Sequence, residues 1–479
     1  MFAREALSKF AKREEKSAPP VFVGRKAIIN DIIERANEGW QNNRKGEPGQ
    51  TRIVQGAPGA GKSSLIAELE KKINKGAHAT TSWLKDEPRI LTLSNSEARS
   101  PQIVLRKLAR LVDRDKARDL FAEKSKFWNV AIKVGVPEFG AEVSHSSETI
   151  SKVPSATLSL FKEWLGFNSS RLQGPIIIAI DEAQNLPSDK DLPSSQFLQD
   201  IHENNSKLPI SLLLAGLGDT RTHIASLGLT RSLTVHSIGR FERQESTELM
   251  REWCEHFDLA IGAQRKRLDG YCKLADDWPR HLHCAQKALA QVVVDKSEAQ
   301  SKFNGELDAM NEQDWMRVTD RFAQYRVEYY RDRVSQTMKF NGDLIAPLMQ
   351  SLNGQSTFVT MRKSVQRISE ELSDTRTRQE AVDFCKHLIH QGAIQELPNK
   401  SIIHCPIPFF RTYLIETAKF PEKDETYSIR CGGEIYSEGE FDSLSDARDW
   451  ATKQLDGLKS DQEVFLWQGA VAVDIITQV

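Results

Sequence analysis

No apolar run in this chain approaches the ~20 residues that a bilayer-spanning helix requires, so no transmembrane helix is expected. The opening segment MFAREALSKFAKREEK carries charges throughout and has no apolar core, which argues against a secretory signal. The expectation is a cytoplasmic protein without a membrane partner. Net charge is also nearly lacking, because 65 Lys and Arg stand against 66 Asp and Glu. There is therefore no global electrostatic reason to expect nucleic acid, although a balanced total can hide a local basic face. The six cysteines (Cys254, Cys272, Cys284, Cys385, Cys405, Cys431) contain no Cys-x-x-Cys pair, which argues against a zinc ribbon and a disulfide framework. Cys254-x-His256 with His281-x-His283-Cys284 is the remaining way to assemble a metal site. Structural sites usually have tighter, paired spacing, so buried thiols and surface histidines are the simpler reading.

What is present is an ordinary globular composition, 39% hydrophobic and 27% charged, over 479 residues, a length that suggests two to four domains. The stretch TRIVQGAPGAGKSSLIAEL organises the rest. A short apolar strand over 52–55 runs into a glycine-rich turn (Gly56, Ala57, Pro58, Gly59, Ala60, Gly61, Lys62, Ser63, Ser64), and a helix follows with Leu65, Ile66 and Leu69 on one face. Gly-x-x-x-x-Gly-Lys-Ser between strand and helix is a phosphate-binding loop in its required context. Glycines permit positive φ and close approach of backbone N–H groups to phosphate, and the helix N-terminus adds partial positive charge. Lys62 reaches the β and γ phosphates, while the Ser63 hydroxyl can ligate Mg²⁺.

The second decisive stretch is PIIIAIDEAQ. Its unbroken apolar run marks a strand buried on both faces, and two acids, Asp181 and Glu182, stand at its carboxyl end, where open α/β sheets bind ligands. Asp181 suits holding Mg²⁺, and Glu182 suits orienting and deprotonating the water that attacks a γ-phosphate. Around these stretches the pattern predicts a strand over 89–94, a helix over 101–112, a buried strand over 210–216 and a fifth strand over 234–238. Residues 113–152 break the rhythm and read as an insertion with a charged helix (115–128) and a small hairpin (132–143). A helix over 155–165 returns the chain to the sheet.

VFVGR, GAPGAGKSS, IIIAIDEAQ and LLLAGL together resemble the AAA+ ATPases, in the branch of origin-recognition initiators, transposition-associated ATPases and signal-transduction ATPases. The resemblance runs from about Val21 to Leu289. It implies an α/β fold: a five-stranded parallel P-loop sheet with a helical lid, followed by a winged-helix-like domain and a small α+β C-terminal unit. The corresponding division is an N-terminal helix (1–19), the nucleotide-binding domain (20–243), the lid (244–300), a connector helix (301–335), the winged-helix-like domain (336–420) and the C-terminal module (425–479). Val23, Gly24 and Arg25 would contact adenine. Arg280, in Trp278-Pro279-Arg280, resembles the sensor 2 arginine that reaches the γ-phosphate from the lid, and Arg231 lies where the family often keeps an arginine finger for a neighbouring subunit. The strand over 210–216 departs from the family by ending in Ala215 and Gly216, leaving Asp219 or Thr220 as substitutes for its usual polar sensor.

The implied function is Mg·ATP binding and hydrolysis, slow or partner-stimulated, by a nucleotide-switched regulator or assembly factor associated with DNA. A homo-oligomer built around an intersubunit ATP site follows from the same resemblance. Two rivals stand beside it: a signalling ATPase that engages a protein effector, and a non-hydrolysing structural adaptor. Helices over 342–352, 359–372 and 376–391, with a hairpin over 392–405, make up the winged-helix pattern. DNA would be met through residues 340–405, where Arg362, Lys363 and Arg367 are diluted by Glu370, Glu371, Asp374 and Glu380. A protein partner would be met through residues 425–479, read as three strands around a helix over 445–458, with Phe441 and Trp467 in the core.

Overall fold

In a computed structural model, the described residues are 3–12, 19–43, 51–77, 88–112, 174–187, 189, 192–203, 210–230, 233–300, 303–351, 359–360, 378–397, 402–419, 426–431, 434–440, 447, 450–451, 464–468 and 471–476. The helices and hairpin expected over 115–165, the arginine Arg231 and the basic segment of Arg362, Lys363 and Arg367 lie outside the described residues, as does Phe441. The chain forms two compact units. One comprises residues 25–56 and 62–238, the other residues 1–24, 57–61 and 239–479.

The first unit is built on a five-stranded sheet: β1 (Thr51–Gln55), β2 (Arg89–Leu93), β3 (Ile176–Ile180), β4 (Ile210–Gly216) and β5 (Leu233–Ser237), in the order β2-β3-β4-β1-β5. Every pairing is parallel. The N-terminal helix α1 (Arg4–Ala11) belongs to the other unit; here α2 (Lys26–Asn43) precedes β1, and helices occupy the connections, as parallel strands require: α3 (Lys62–Ala77), α4 (Asn95–Ala98), α5 (Pro101–Val112), α6 (Pro193–Glu203) and α7 (Thr220–Ser226). All five residues of β3 are buried, which is why it reads as an apolar run rather than an alternating one, and all five of β1 are buried too, its Arg52 paired with Asp31 at 3.0 Å. Ile53, Leu108, Ile178, Phe197, Leu214 and Ile224 form part of the resulting core. Because the strands are parallel, β1, β2, β3 and β4 all present their carboxyl ends at one edge. That edge carries Gly56, Asn95, Asp181 and Gly216.

In the second unit, α8 (Arg243–His256), α9 (Arg265–Leu274) and α10 (Pro279–Ala299) are the helices of the segment expected to be the lid. Pro279 begins α10 where its missing N–H costs nothing. The amphipathic N-terminal helix α1 completes the lid core: Leu7, Phe10 and Ala11 are buried with Trp253, Phe257 and Leu289. Phe10 lies 5.5 Å, centroid to centroid, from both Trp253 and Phe257. Phe10→Ala is expected to destabilise this unit by about 3–5 kcal/mol, the usual cost of an aromatic truncated in a core. A denaturant titration with an unchanged midpoint would contradict that packing.

A 40-residue helix, α11 (Glu312–Ser351), follows. The sequence suggests a connector ending near residue 335 and a separate helix from Gly342, yet one helix runs through both. A single interior glycine costs only about 1 kcal/mol relative to alanine, too little to end a long helix. Beyond it lie β6 (Val359–Thr360), α12 (Arg378–Gln391), β7 (Gln395–Leu397), β8 (Ile402–His404) and α13 (Phe410–Lys419), with an antiparallel sheet in the order β6-β8-β7. This is a winged-helix-like module, and it corrects the helix expected over 359–372 at its first residues. Val359 and Thr360 are strand, consistent with their β-branched side chains. The C-terminal sheet has four antiparallel strands, β9 (Thr426–Cys431), β10 (Glu434–Glu440), β11 (Val464–Gln468) and β12 (Val471–Ile476), in the order β10-β9-β11-β12. The fourth strand is one more than the sequence reading anticipates. Most of the helix expected over 445–458, and the side chain of Trp467, lie outside the described residues.

Burial depresses the pKa of three histidines, His236, His281 and His404, below the ordinary 6.5. The folded protein therefore keeps them neutral where the unfolded chain would take up protons. Their contribution to stability is present above pH 6.5 and is lost as pH falls below it. The unfolding midpoint is expected to drop between pH 7.5 and 5.5, and a flat profile would contradict these assignments.

Candidate nucleotide-binding site

β1 runs directly into the glycine-rich loop, and α3 begins at Lys62 immediately after it. The Gly56 amide donates to the carbonyl of Gly216 at the end of β4 (3.2 Å), which anchors the loop's first residue to the sheet. Gly59 and Gly61 have φ of +79° and +89°, conformations that L side chains rarely adopt and that explain why glycine stands at both positions. The Ala60 amide closes on the Ala57 carbonyl at 3.1 Å. Lys62 Nζ donates to the Gly56 carbonyl at 2.9 Å, so the ammonium lies along the loop rather than out in solvent. The N-terminal end of a four-turn helix adds its partial positive charge at the same place.

The structure brings the second motif to the first. Ser63 Oγ donates to Asp181 Oδ2 at 2.6 Å, although the two residues are 118 positions apart. Asp181 Oδ1 accepts from the Glu182 amide at 2.9 Å, which fixes the carboxylate's orientation. A hydroxyl and a carboxylate side by side are hard oxygen donors of the kind Mg²⁺ prefers. The donor set and the loop's backbone conformation thus fit Mg²⁺ and a phosphate chain.

Glu182 adopts φ +53°. Such strain in a non-glycine residue persists only where the surroundings impose it, and it is commonest at functional sites. Its Oε2 accepts from Asn95 Nδ2 (3.2 Å) and Asn185 Nδ2 (3.3 Å). Two neutral amides therefore hold an exposed carboxylate in one place. The sequence pattern does not single out either asparagine, although Asn95 follows β2 at the carboxyl edge of the sheet, where ligand-facing residues concentrate.

The end of β4 is backed by polar side chains after all. Gln184 Oε1 accepts from the Leu217 amide at 3.2 Å, and a Cβ at Gly216 would meet both Thr220 Oγ1 and Gln184 Oε1. Thr220 is fully buried beside that strand end, and Asp219 immediately precedes α7.

In the other unit, Val23 is buried in the lid core. Gly24 has φ +72°, a conformation that strains any L side chain, and a Cβ there would also displace the Glu245 carboxylate. Arg25, which starts the first unit, is also left-handed at φ +56°. Arg280 lies in the first turn of α10, next to the loop residue Gly59: a Cβ on Gly59 would fall 2.7 Å from Arg280 Cβ, 2.8 Å from the Tyr329 hydroxyl and 3.0 Å from Trp278 Nε1. Its guanidinium stacks on the Tyr329 ring, 5.7 Å from the centroid.

The alternative metal cluster is not assembled. Among the described residues no group of three or more His, Cys, Asp or Glu side chains is arranged to hold a metal ion. His281 is buried rather than at the surface, with Nδ1 on the Ala275 carbonyl (3.2 Å) and Nε2 on the Tyr330 hydroxyl (3.1 Å). Cys254 and Cys272 are buried thiols whose pKa burial pushes up to about 12. No helix among the described residues is long and apolar enough to cross a membrane.

Residues 48–222 match the family model described as the AAA domain. Among solved structures, the chain is similar to the ORC2 protein of Aeropyrum pernix, at 13% identity over 86% of this chain and 96% of that one, with a TM-score of 0.49. It is similar to Cdc6p of Pyrobaculum aerophilum, at 13% identity over 86% and 97% of the two chains, with a TM-score of 0.39. It is also similar to a Walker-type ATPase of Pyrococcus abyssi, at 13% identity over 85% and 99%, with a TM-score of 0.43. No curated protein matches the sequence.

Proposed function

We propose that this chain, an AAA+ P-loop protein through its residues 48–222, binds Mg·ATP and hydrolyses it to ADP and phosphate as a nucleotide-switched regulator or assembly factor associated with DNA. The observation that carries the hydrolytic reading is the junction of the two motifs, with Ser63 Oγ on Asp181 at 2.6 Å and Glu182 next in the chain. In this reading the loop amides of residues 56–64 bind the phosphate chain, and Lys62 exchanges the Gly56 carbonyl for phosphate oxygens. Ser63 and Asp181 hold Mg²⁺, whose contribution when bound is to neutralise charge on the phosphates. Glu182 accepts a proton from the attacking water, its carboxylate kept in place by Asn95 and Asn185. Val23, Gly24 and Arg25 contact adenine. Arg280 offsets charge developing on the phosphates, and Arg231 serves a neighbouring subunit in a homo-oligomer. Turnover is slow or requires a partner, in keeping with a strand β4 that itself ends in Ala215 and Gly216 and has polar groups at its end only from Gln184 and Thr220.

Removing Arg280 is expected to lower turnover about ten- to a hundredfold, the scale of losing one charge-stabilising donor. Steady-state assays of Arg280→Ala at the wild-type rate would confine Arg280 to packing on Tyr329.

DNA association rests on the winged-helix-like module and on Arg362, Lys363 and Arg367 within residues 340–405. Titration with duplex DNA at increasing salt tests it. A steep linear fall of log affinity with log salt is the expected result. An absence of binding at low salt would remove the DNA reading and leave a protein effector, engaged through residues 425–479, as the partner.

A further inference from the structure

The loop residue Pro58 has a partner far along the chain. Tyr329, on α11, donates its hydroxyl to the Pro58 carbonyl at 2.8 Å, across 271 positions and within a single compact unit. The side chain is nearly inaccessible, and its ring is held from several directions. The Arg280 guanidinium lies 5.7 Å and that of Arg333 5.6 Å from the ring centroid, and the neighbouring Tyr330 ring is tilted against it at 5.6 Å. A peptide unit is planar and trans, so its carbonyl and its amide N–H point in opposite directions. Fixing the Pro58 carbonyl toward Tyr329 therefore fixes the Gly59 N–H to point the other way, off the Tyr329 wall. The same wall, with Trp278 and Arg280, leaves no room for a side chain at Gly59.

We propose that Tyr329 is a positioning residue of the phosphate-binding loop, its hydroxyl holding the Pro58–Gly59 peptide so that the Gly59 amide faces the phosphate of a bound nucleotide. This rests on the ATP reading above. Backbone donors aimed before the ligand arrives bind anions without reorganising, which is the value of a preset loop. Burial pushes the Tyr329 phenol up to about 12, so it remains a protonated donor at neutral pH. Tyr330, the next residue, supplies a built-in control. It is buried on the same helix and also donates to a proline carbonyl, Pro408, at 2.9 Å, but it has no hydrogen bond to the loop.

The test is calorimetric titration of the full chain with Mg·ATP in three forms: wild type, Tyr329→Phe and Tyr330→Phe. Phenylalanine keeps each ring and removes only the hydroxyl. Tyr329→Phe is expected to weaken ATP about five- to tenfold, the value of one net hydrogen bond, while Tyr330→Phe stays within about twofold. Equal affinity in Tyr329→Phe and wild type would overturn the positioning role and leave the ATP reading standing. An equal loss in both variants would overturn it too, since packing alone would then explain the effect. A wild-type protein that binds no ATP would remove both.

Discussion

Lys62→Ala is expected to weaken Mg·ATP binding about ten- to a hundredfold, the value of charge-assisted hydrogen bonds from one ammonium to phosphate. Lys62 Nζ is held 2.9 Å from the Gly56 carbonyl, inside the loop whose glycines at 59 and 61 have the positive φ that turns backbone amides toward an anion. The variant's unfolding midpoint, measured alongside, separates a lost phosphate contact from a lost fold. Unchanged ATP affinity in a folded Lys62→Ala protein, measured by calorimetry, would mean that the nucleotide is held elsewhere.

Glu182→Gln should separate binding from turnover. Glutamine preserves the shape and one acceptor oxygen for Asn95 and Asn185 but removes the negative charge needed to take a proton. Hydrolysis is expected to fall on the order of 10²- to 10⁴-fold while ATP affinity changes little. The left-handed φ of +53° at this residue is a cost, its two amide partners hold the carboxylate in one place, and both fit a group whose position matters to chemistry. Normal turnover in this variant would move the base to another residue and deprive Asn95 and Asn185 of their role.

The parts of this site that the sequence made legible are those where chemistry forces an unusual local pattern. Gly56 to Ser63 combine glycines, a lysine and a hydroxyl residue between strand and helix, and few other constraints produce that combination. Asp181 and Glu182 stand at the end of an unbroken apolar run, so their place at the carboxyl edge followed from burial alone. Their meeting with Ser63 could be expected because both strands are parallel members of one sheet, only β4 lying between them. Asn95 and Asn185 were not legible, because an asparagine after a strand or in a short turn is ordinary turn chemistry until its amide is seen on a carboxylate. Tyr329 left even less signal. It sits in a helix rich in Arg, Tyr and Glu, and its bond to Pro58 depends on where that helix lies against the loop residues, which no periodicity encodes. The helix break expected at Gly342 is absent, because one glycine does not outweigh the surrounding helix formers. At Val359 the apolar pattern was compatible with either state, and β-branching together with pairing to β8 decided for strand.

The central claim is that one site per chain, built from the loop at residues 56–64 and the acids at 181 and 182, takes Mg·ATP. Calorimetric titration of the wild-type protein with ATP, in the presence and absence of Mg²⁺, tests it most directly. Saturable binding of one nucleotide per chain, strengthened by Mg²⁺, is the result this structure predicts. No detectable binding of ATP in either condition would contradict it.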